Sequence, residues 1–184
     1  RHTRSLCDWS SDVCSSDLRS MTESVFPPND LTGFLQLCAG EWLALRSLMA
    51  LEMPQGDAEE DRWHQSERGE LRVLFLEPLG DGDAGGLEIQ PQQHCGRRLR
   101  FQAGGTYSSE EAGGAAGPAG DWQLWPDGSL ELSQGDGERM IRERLWFTQP
   151  NLRLRSIVES RSDGSPGRAS FSSEIRRVSR PPAA

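Results

Sequence analysis

Polar and apolar residues alternate twice in the stretch from Glu143 to Ser156 and just beyond it, over Glu143–Phe147 and over Leu152–Val158. A period of two marks a strand with unlike faces, so two strands are expected there. Gln149-Pro150-Asn151 joins them, with proline fixing φ and asparagine tolerating a left-handed backbone. On the second strand Arg153, Arg155 and Ile157 share one face, while Leu152, Leu154 and Val158 share the other. Two guanidinium forks side by side could grip two carboxylates. The pattern alone favours the plainer alternative, two arginines facing water, because charged side chains are mostly exposed.

The period changes to that of a helix near the start. Asp30 is placed to cap a helix whose apolar stripe is Leu31, Phe34, Leu35, Leu37 and Cys38, and Gly40 is placed to end it. The helix formers Leu43, Leu45 and Leu48 would also allow a helix running on to Glu52. A break at Gly40 followed by a strand is preferred, and it puts Trp42, Ala44, Arg46 and Leu48 on one face and Leu43, Leu45, Ser47, Met49 and Leu51 on the other. Pro54–Gly69 reads as a charged loop or wide hairpin holding Trp63 and His64. Strands are expected over Leu71–Leu76, Leu87–Pro91 and Arg97–Ala103, with a Gly/Asp turn at Gly80–Gly86. Tyr107–Gly120, rich in Gly and Ala, reads as a mobile loop. A hairpin follows around Pro126-Asp127-Gly128, and a last strand runs over Ala169–Val178. One helix and eight to ten short strands with hairpin connections predict an antiparallel barrel or sandwich.

Composition narrows this further. A chain of 184 residues suffices for one domain, and a hydrophobic fraction of 35% with plentiful Gly and Pro suits a β-rich fold with long loops. A net charge of -8 argues against nucleic acid as the main partner. No apolar run approaches the ~20 residues of a membrane helix, so a soluble, cytosolic protein is expected. Arg1–Ser20 has neither the apolar core of a signal peptide nor any periodicity, and resembles translated sequencing-adapter read-through, notably at Cys14-Ser15-Ser16-Asp17-Leu18. Setting it aside starts the natural protein at Met21 and leaves Cys38 and Cys95, two distant thiols expected to be reduced. No zinc motif survives, His64 and the adjacent His94 and Cys95 read as incidental, and no metal is expected. Phosphate loops, G-x-S-x-G elbows and H-E-x-x-H helices are absent from the sequence.

Three pieces resemble the S-type phycobiliprotein chromophore lyases, the CpcS/CpeS family: Phe34–Arg46 (FLQLCAGEWLALR), Glu143–Ser156 (ERLWFTQPNLRLRS) and Ala169–Arg176 (ASFSSEIR). The resemblance implies an all-β, lipocalin-like up-and-down antiparallel barrel with one N-terminal helix, formed by residues 21–178 as a single domain with a frayed tail at 179–184. It implies a lyase that binds a linear tetrapyrrole, phycocyanobilin or phycoerythrobilin, and joins it by a thioether to a cysteine of a phycobiliprotein subunit. A non-catalytic bilin carrier, or one chain of a two-chain lyase, is the alternative. The acceptor would be phycocyanin, phycoerythrin or allophycocyanin, in the cyanobacterial cytosol, with a second lyase chain or a second copy as a further partner.

The roles that follow from the resemblance are these. Arg153 and Arg155 pair with the bilin propionates, Glu143 accepts from the pyrrole N–H groups, Trp42 supplies a stacking wall, and Arg46, with Glu143, serves the chemistry. Two positions depart from the family. Met49 stands where a His is common, and Ser172 where the closing strand often has Cys.

Overall fold

The computed structural model describes residues 26–50, 65–93, 95–165 and 167–177. His64, Trp63 and His94 lie outside them, as do residues 1–25 and 178–184. Ten antiparallel strands form a closed barrel in which each strand pairs with its neighbours in the chain and the last returns to the first. They are β1 (Gly40–Ala50), β2 (Gln65–Leu76), β3 (Asp83–Pro91), β4 (Arg97–Gln102), β5 (Thr106–Glu111), β6 (Gly120–Leu124), β7 (Leu130–Gly135), β8 (Arg139–Gln149), β9 (Leu152–Arg161) and β10 (Arg168–Arg176). Closure removes the sheet edges, and the alternation seen in the sequence becomes an inside and an outside.

One helix precedes the barrel, α1 (Leu31–Cys38). The Asp30 carboxylate caps it by accepting from the Gly33 N–H at 2.8 Å. Leu31, Phe34, Leu35 and Cys38 are buried, and they fill the end of the barrel where β1 begins. There they meet Trp42, Val73, Phe101, Leu130, Leu145 and Phe147. Phe34 packs edge-on against Phe147 with ring centroids 5.3 Å apart. This end is a packed core.

The helix stops where the sequence predicts, and the reason is specific. Gly40 has φ 140°, and a Cβ there would lie 2.5 Å from the Arg176 Nη1 atom. The alternative helix to Glu52 is excluded, because β1 takes up that stretch as far as Ala50.

Three boundaries differ from expectation. The segment before Gly69 is already strand from Gln65, because β2 follows β1 in register to Gln65↔Leu48. β3 begins at Asp83, inside the predicted turn, with a bulge between Asp83 and Gly85. Thr106–Glu111 is a strand where a mobile loop was expected. Its polar run Ser108-Ser109-Glu110-Glu111 hides the apolar signal, and only Tyr107 of that strand is buried.

Candidate functional site

The inner face of the barrel away from α1 is built in cross-strand rows. One row runs Ala44↔Glu174↔Arg153, the next Arg46↔Ser172↔Arg155, and the third Leu48↔Ser170↔Ile157. Side chains in register across a sheet share a face, so these nine positions line one wall. A pocket of about 370 Å³ opens against it, bounded by Ala44, Arg46, Arg155, Ile157 and Ser172 on this side and by Glu67, Leu71 and Ile89 on β2 and β3. That size falls at the lower end of the range of about 300–1,000 Å³ usual for small-molecule sites.

Behind the pocket runs a chain of alternating charges. Arg97 reaches from β4 to donate to Glu143 on β8 at 3.0 Å. The other Glu143 oxygen lies 3.3 Å from Arg155 Nη1. Arg155 Nε lies 3.2 Å from Glu174, which is also paired with Arg153. The Arg155–Glu174 approach has ion-pair distance but lacks hydrogen-bond alignment, leaving that Nε without a hydrogen-bond partner. Burial by itself pushes the Glu143 carboxyl up, but Arg97 and Arg155, helped by the Arg97 hydrogen bond, outweigh it and bring its pKa to about 2. Glu143 is therefore an anion here. Burial pulls the Arg155 guanidinium down, while Glu174 and Glu143 more than reverse it and hold the cation firmly charged. Burial, reinforced by the Glu143 charge, raises the Tyr107 hydroxyl, which donates to Gln134 at 3.1 Å.

The far end of that chain is structural. Arg153 is 1% exposed and donates to the Cys38 carbonyl at 3.4 Å. Its guanidinium lies 4.3 Å from the Trp42 ring centroid, and that of Arg176 lies 4.4 Å from the same ring. Trp42 donates to the Cys38 carbonyl at 3.0 Å, and Arg176 donates to the carbonyls of Leu37 and Ala39. Helix-end carbonyls lack partners within the helix, and three barrel side chains satisfy them here. This latch fixes the plug.

The expected site residues thus separate. Arg46 and Arg155 border the pocket, and Glu143 backs Arg155. Trp42 and Arg153 belong to the latch: Trp42 is fully buried, and neither borders the pocket. Among the described residues Arg46 has no ion-pair partner, and its one side-chain hydrogen bond goes to the Ser170 hydroxyl at 3.4 Å. Of the two family departures, Ser172 stands in the pocket wall between Arg46 and Arg155. Met49 is in register with Ala169 and Val158 on the outer face, so its replacement of His takes nothing from the interior. Sequence reasoning missed Glu174 and Arg97. Glu174 had a signal, the alternation Ser170-Ser172-Glu174 in β10. Arg97 had none, because its contact spans the barrel.

The chain is thus an antiparallel barrel plugged at one end, with a pocket whose wall bears both arginines and carboxylates. The model of the CpeS-like protein family matches residues 99–177. The "Chromophore lyase CpcS/CpeS 1" of Paulinella chromatophora is 40% identical over 158 residues, 85% of this chain and 94% of that protein. A protein of the same name from Synechocystis is 31% identical over 181 residues, covering 84% of this chain and 93% of its own. The solved S-type phycobiliprotein lyase CPES from Guillardia theta shares the fold with a TM-score of 0.56, at 18% identity over 80% of this chain and 92% of its own. The chain belongs to the CpcS/CpeS family of chromophore lyases.

Proposed function

We propose that this lyase binds phycocyanobilin or phycoerythrobilin in the barrel pocket and transfers it to a cysteine of a phycobiliprotein subunit. The observation that carries this is the row Arg46↔Ser172↔Arg155, which sets two guanidinium groups on the pocket wall two strands apart. Adjacent strands are about 4.8 Å apart, so the two backbones are separated by roughly 10 Å. A bilin carries two propionates on neighbouring rings, and two long arginines at this spacing can each take one. The clamp is therefore Arg46 with Arg155, and Arg153 supports it through Glu174. Ile157, Leu71 and Ile89 offer apolar surface to the conjugated body.

Glu143 and Glu174 keep Arg155 in place, and Glu174, which itself borders the pocket, and Glu143 behind it are the carboxylates for the pyrrole N–H groups. The nucleophile comes from the acceptor. Its cysteine sulfur forms a bond to the ethylidene carbon of ring A, the ethylidene π pair moves to the ring carbon, and the proton given up by the thiol ends there. The addition needs no further reactant. The lyase contributes position and restraint. The place of action would be the cytosol, where acceptor subunits are made.

The test is production of the chain with bilin and an apo subunit, followed by zinc-induced fluorescence on a denaturing gel. Attached, fluorescent subunit is expected. Arg46→Ala and Arg155→Ala should each weaken bilin binding about tenfold to a hundredfold, the loss of one charge-assisted hydrogen bond. Arg153→Ala should instead lower the melting temperature, since it leaves Glu174 buried with only Arg155 beside it. Colourless protein from the unmodified chain would refute the proposal, and unchanged affinity in both pocket variants would refute the clamp.

A further inference from the structure

The strands do not seal the barrel evenly. β1 and β2 run in register from Gly40↔Val73 to Leu48↔Gln65, but the pairs between β2 and β3 stop at Leu71↔Pro91. One more bond follows, from the Gln92 N–H to the Glu70 carbonyl at 2.9 Å. Pro91 has no N–H for a ladder, and past it the chain turns sharply toward β4. Gly96 allows the tight turn, since a Cβ there would lie 2.8 Å from the Ile89 carbonyl oxygen. β2 meanwhile continues back to Gln65. The backbone groups of alternate residues point to opposite sides of a strand, so Ser66 and Arg68, like Glu70, aim theirs away from β1. Among the described residues no strand pairs with that edge.

The gap lies in the wall of the pocket. Gly69, Glu70, Gln92 and Gln93 border the pocket, and the same four border a depression that reaches the outer surface beside Leu43 and Leu45. Gly69 stands on the inner face in register with Ala44, which places the two smallest residues of this wall side by side. A Cβ at Gly69 would meet no described atom within 4 Å. The arginine row therefore has two unlike ends. Beyond Arg155 it continues to Leu145 and Leu130, both buried in the core. Beyond Arg46 it reaches the exposed Glu67 on β2, the last strand before the gap.

We propose that the bilin lies along this row with ring A at the β2 end, its ethylidene carbon in the gap beside Gly69, and that the acceptor thiol arrives there through the side of the barrel. The inference rests on the bilin reading above and gives that bilin a direction. The propionates stand on the two inner rings, so gripping them with Arg46 and Arg155 sends one outer ring toward β2 and the other toward β8. Core side chains enclose the ring at the β8 end, and a thiol on a second protein has no path to it. The reacting carbon has to meet the sulfur at bonding distance, so the ring that carries it belongs at the open end. Gly69 contributes by having no side chain: a larger residue would fill the space that the sulfur crosses.

The experiment places a thiol in the gap and supplies bilin without any acceptor. In Gly69→Cys the new sulfur should bond to the ethylidene carbon while its proton passes to the ring carbon, and the lyase chain itself should then show zinc-induced fluorescence on a denaturing gel. The full chain carries Cys95→Ser as background, because Cys95 is exposed in the connection from β3 to β4, whereas Cys38 is buried and stays. Ile157→Cys, across the pocket on β9, should take up colour without covalent attachment. In the absence of bilin, the Gly69→Cys thiol should react with a fluorescein maleimide in the folded chain, and bound bilin should suppress that reaction. Should Gly69→Cys not fold, Ala44→Cys in the same row decides alone. Colourless unmodified protein refutes the bilin reading and this inference with it. Coloured protein in which Gly69→Cys stays unattached, or in which Ile157→Cys attaches as well, overturns the inference and leaves that reading standing. A folded, bilin-free Gly69→Cys chain that withholds its thiol from the maleimide also overturns it.

Discussion

Glu143 shows how one side chain takes its character from partners far away in the chain. A carboxyl this buried, with only 9% of its side chain exposed, would be neutral without cations beside it. Arg97 and Arg155 make it an anion with a pKa of about 2, against an ordinary value of 4.5. A carboxyl whose folded pKa is depressed binds fewer protons than in the unfolded chain. Its contribution to stability is complete above about pH 4.5 and is lost as pH falls toward 2. A shift of this size is worth about 3 kcal/mol. Urea unfolding across that window should therefore show a steep acid loss that Glu143→Gln lacks. A variant with the same acid limb as the unmodified protein would show that the ion pairs with Arg97 and Arg155 do not set it. Arg153, by contrast, had the same sequence signal as Arg155 and a different fate. The two residues share a face and differ by one row, and the lower row is where the latch begins.

At the scale of elements, α1 and β1 act as one unit because the turn between them is pinned from three sides. Trp42, Arg153 and Arg176 come from β1, β9 and β10, and all reach the last carbonyls of the helix. Gly40 is the hinge of this arrangement, with a backbone that L side chains rarely adopt and Arg176 lying against its Cα. Gly40→Ala should cost about 2 kcal/mol or more, read as a lower urea midpoint, because strain in φ adds to the displacement of a cation that holds two carbonyls. Asp30→Ala removes only the N-cap and should cost about 1 kcal/mol, which gives a scale for the comparison. Equal costs would mean the C-terminal latch adds nothing beyond an ordinary helix end.

At the scale of the whole molecule, a closed barrel is as firm as its weakest seam. β8 and β9 are in register over nine residue pairs, with a tenth beyond a bulge at Phe147/Gln149, whereas β5 and β6 are joined by two, Thr106↔Asp121 and Tyr107↔Gly120. The strand that ended where a loop was expected is thus also the least secured. Local opening should begin there, and amide hydrogen exchange should be fastest along Ser108–Glu111 and slowest along β8 to β10. Uniform protection around the barrel would contradict this. The seam lies across the barrel from the arginine wall, so opening there would leave Arg46 and Arg155 in place.

The element count, the helix cap, the break at Gly40 and the two-faced strands were legible in the sequence because they rest on local rules: a period of two or near four, a capping carboxylate, a glycine where no side chain fits. The family was legible as well, since Glu143–Ser156 is long and specific. Tertiary structure alone decided which face of each strand is inside, and with it that Met49 is an outer residue and Ser172 a pocket one. It also decided that Arg153 lies against the plug while Arg155 borders the pocket, and that Arg97 pairs with Glu143. The physical reason is the same in each case. Alternation says that two faces differ, but only closure of the barrel says what each face meets.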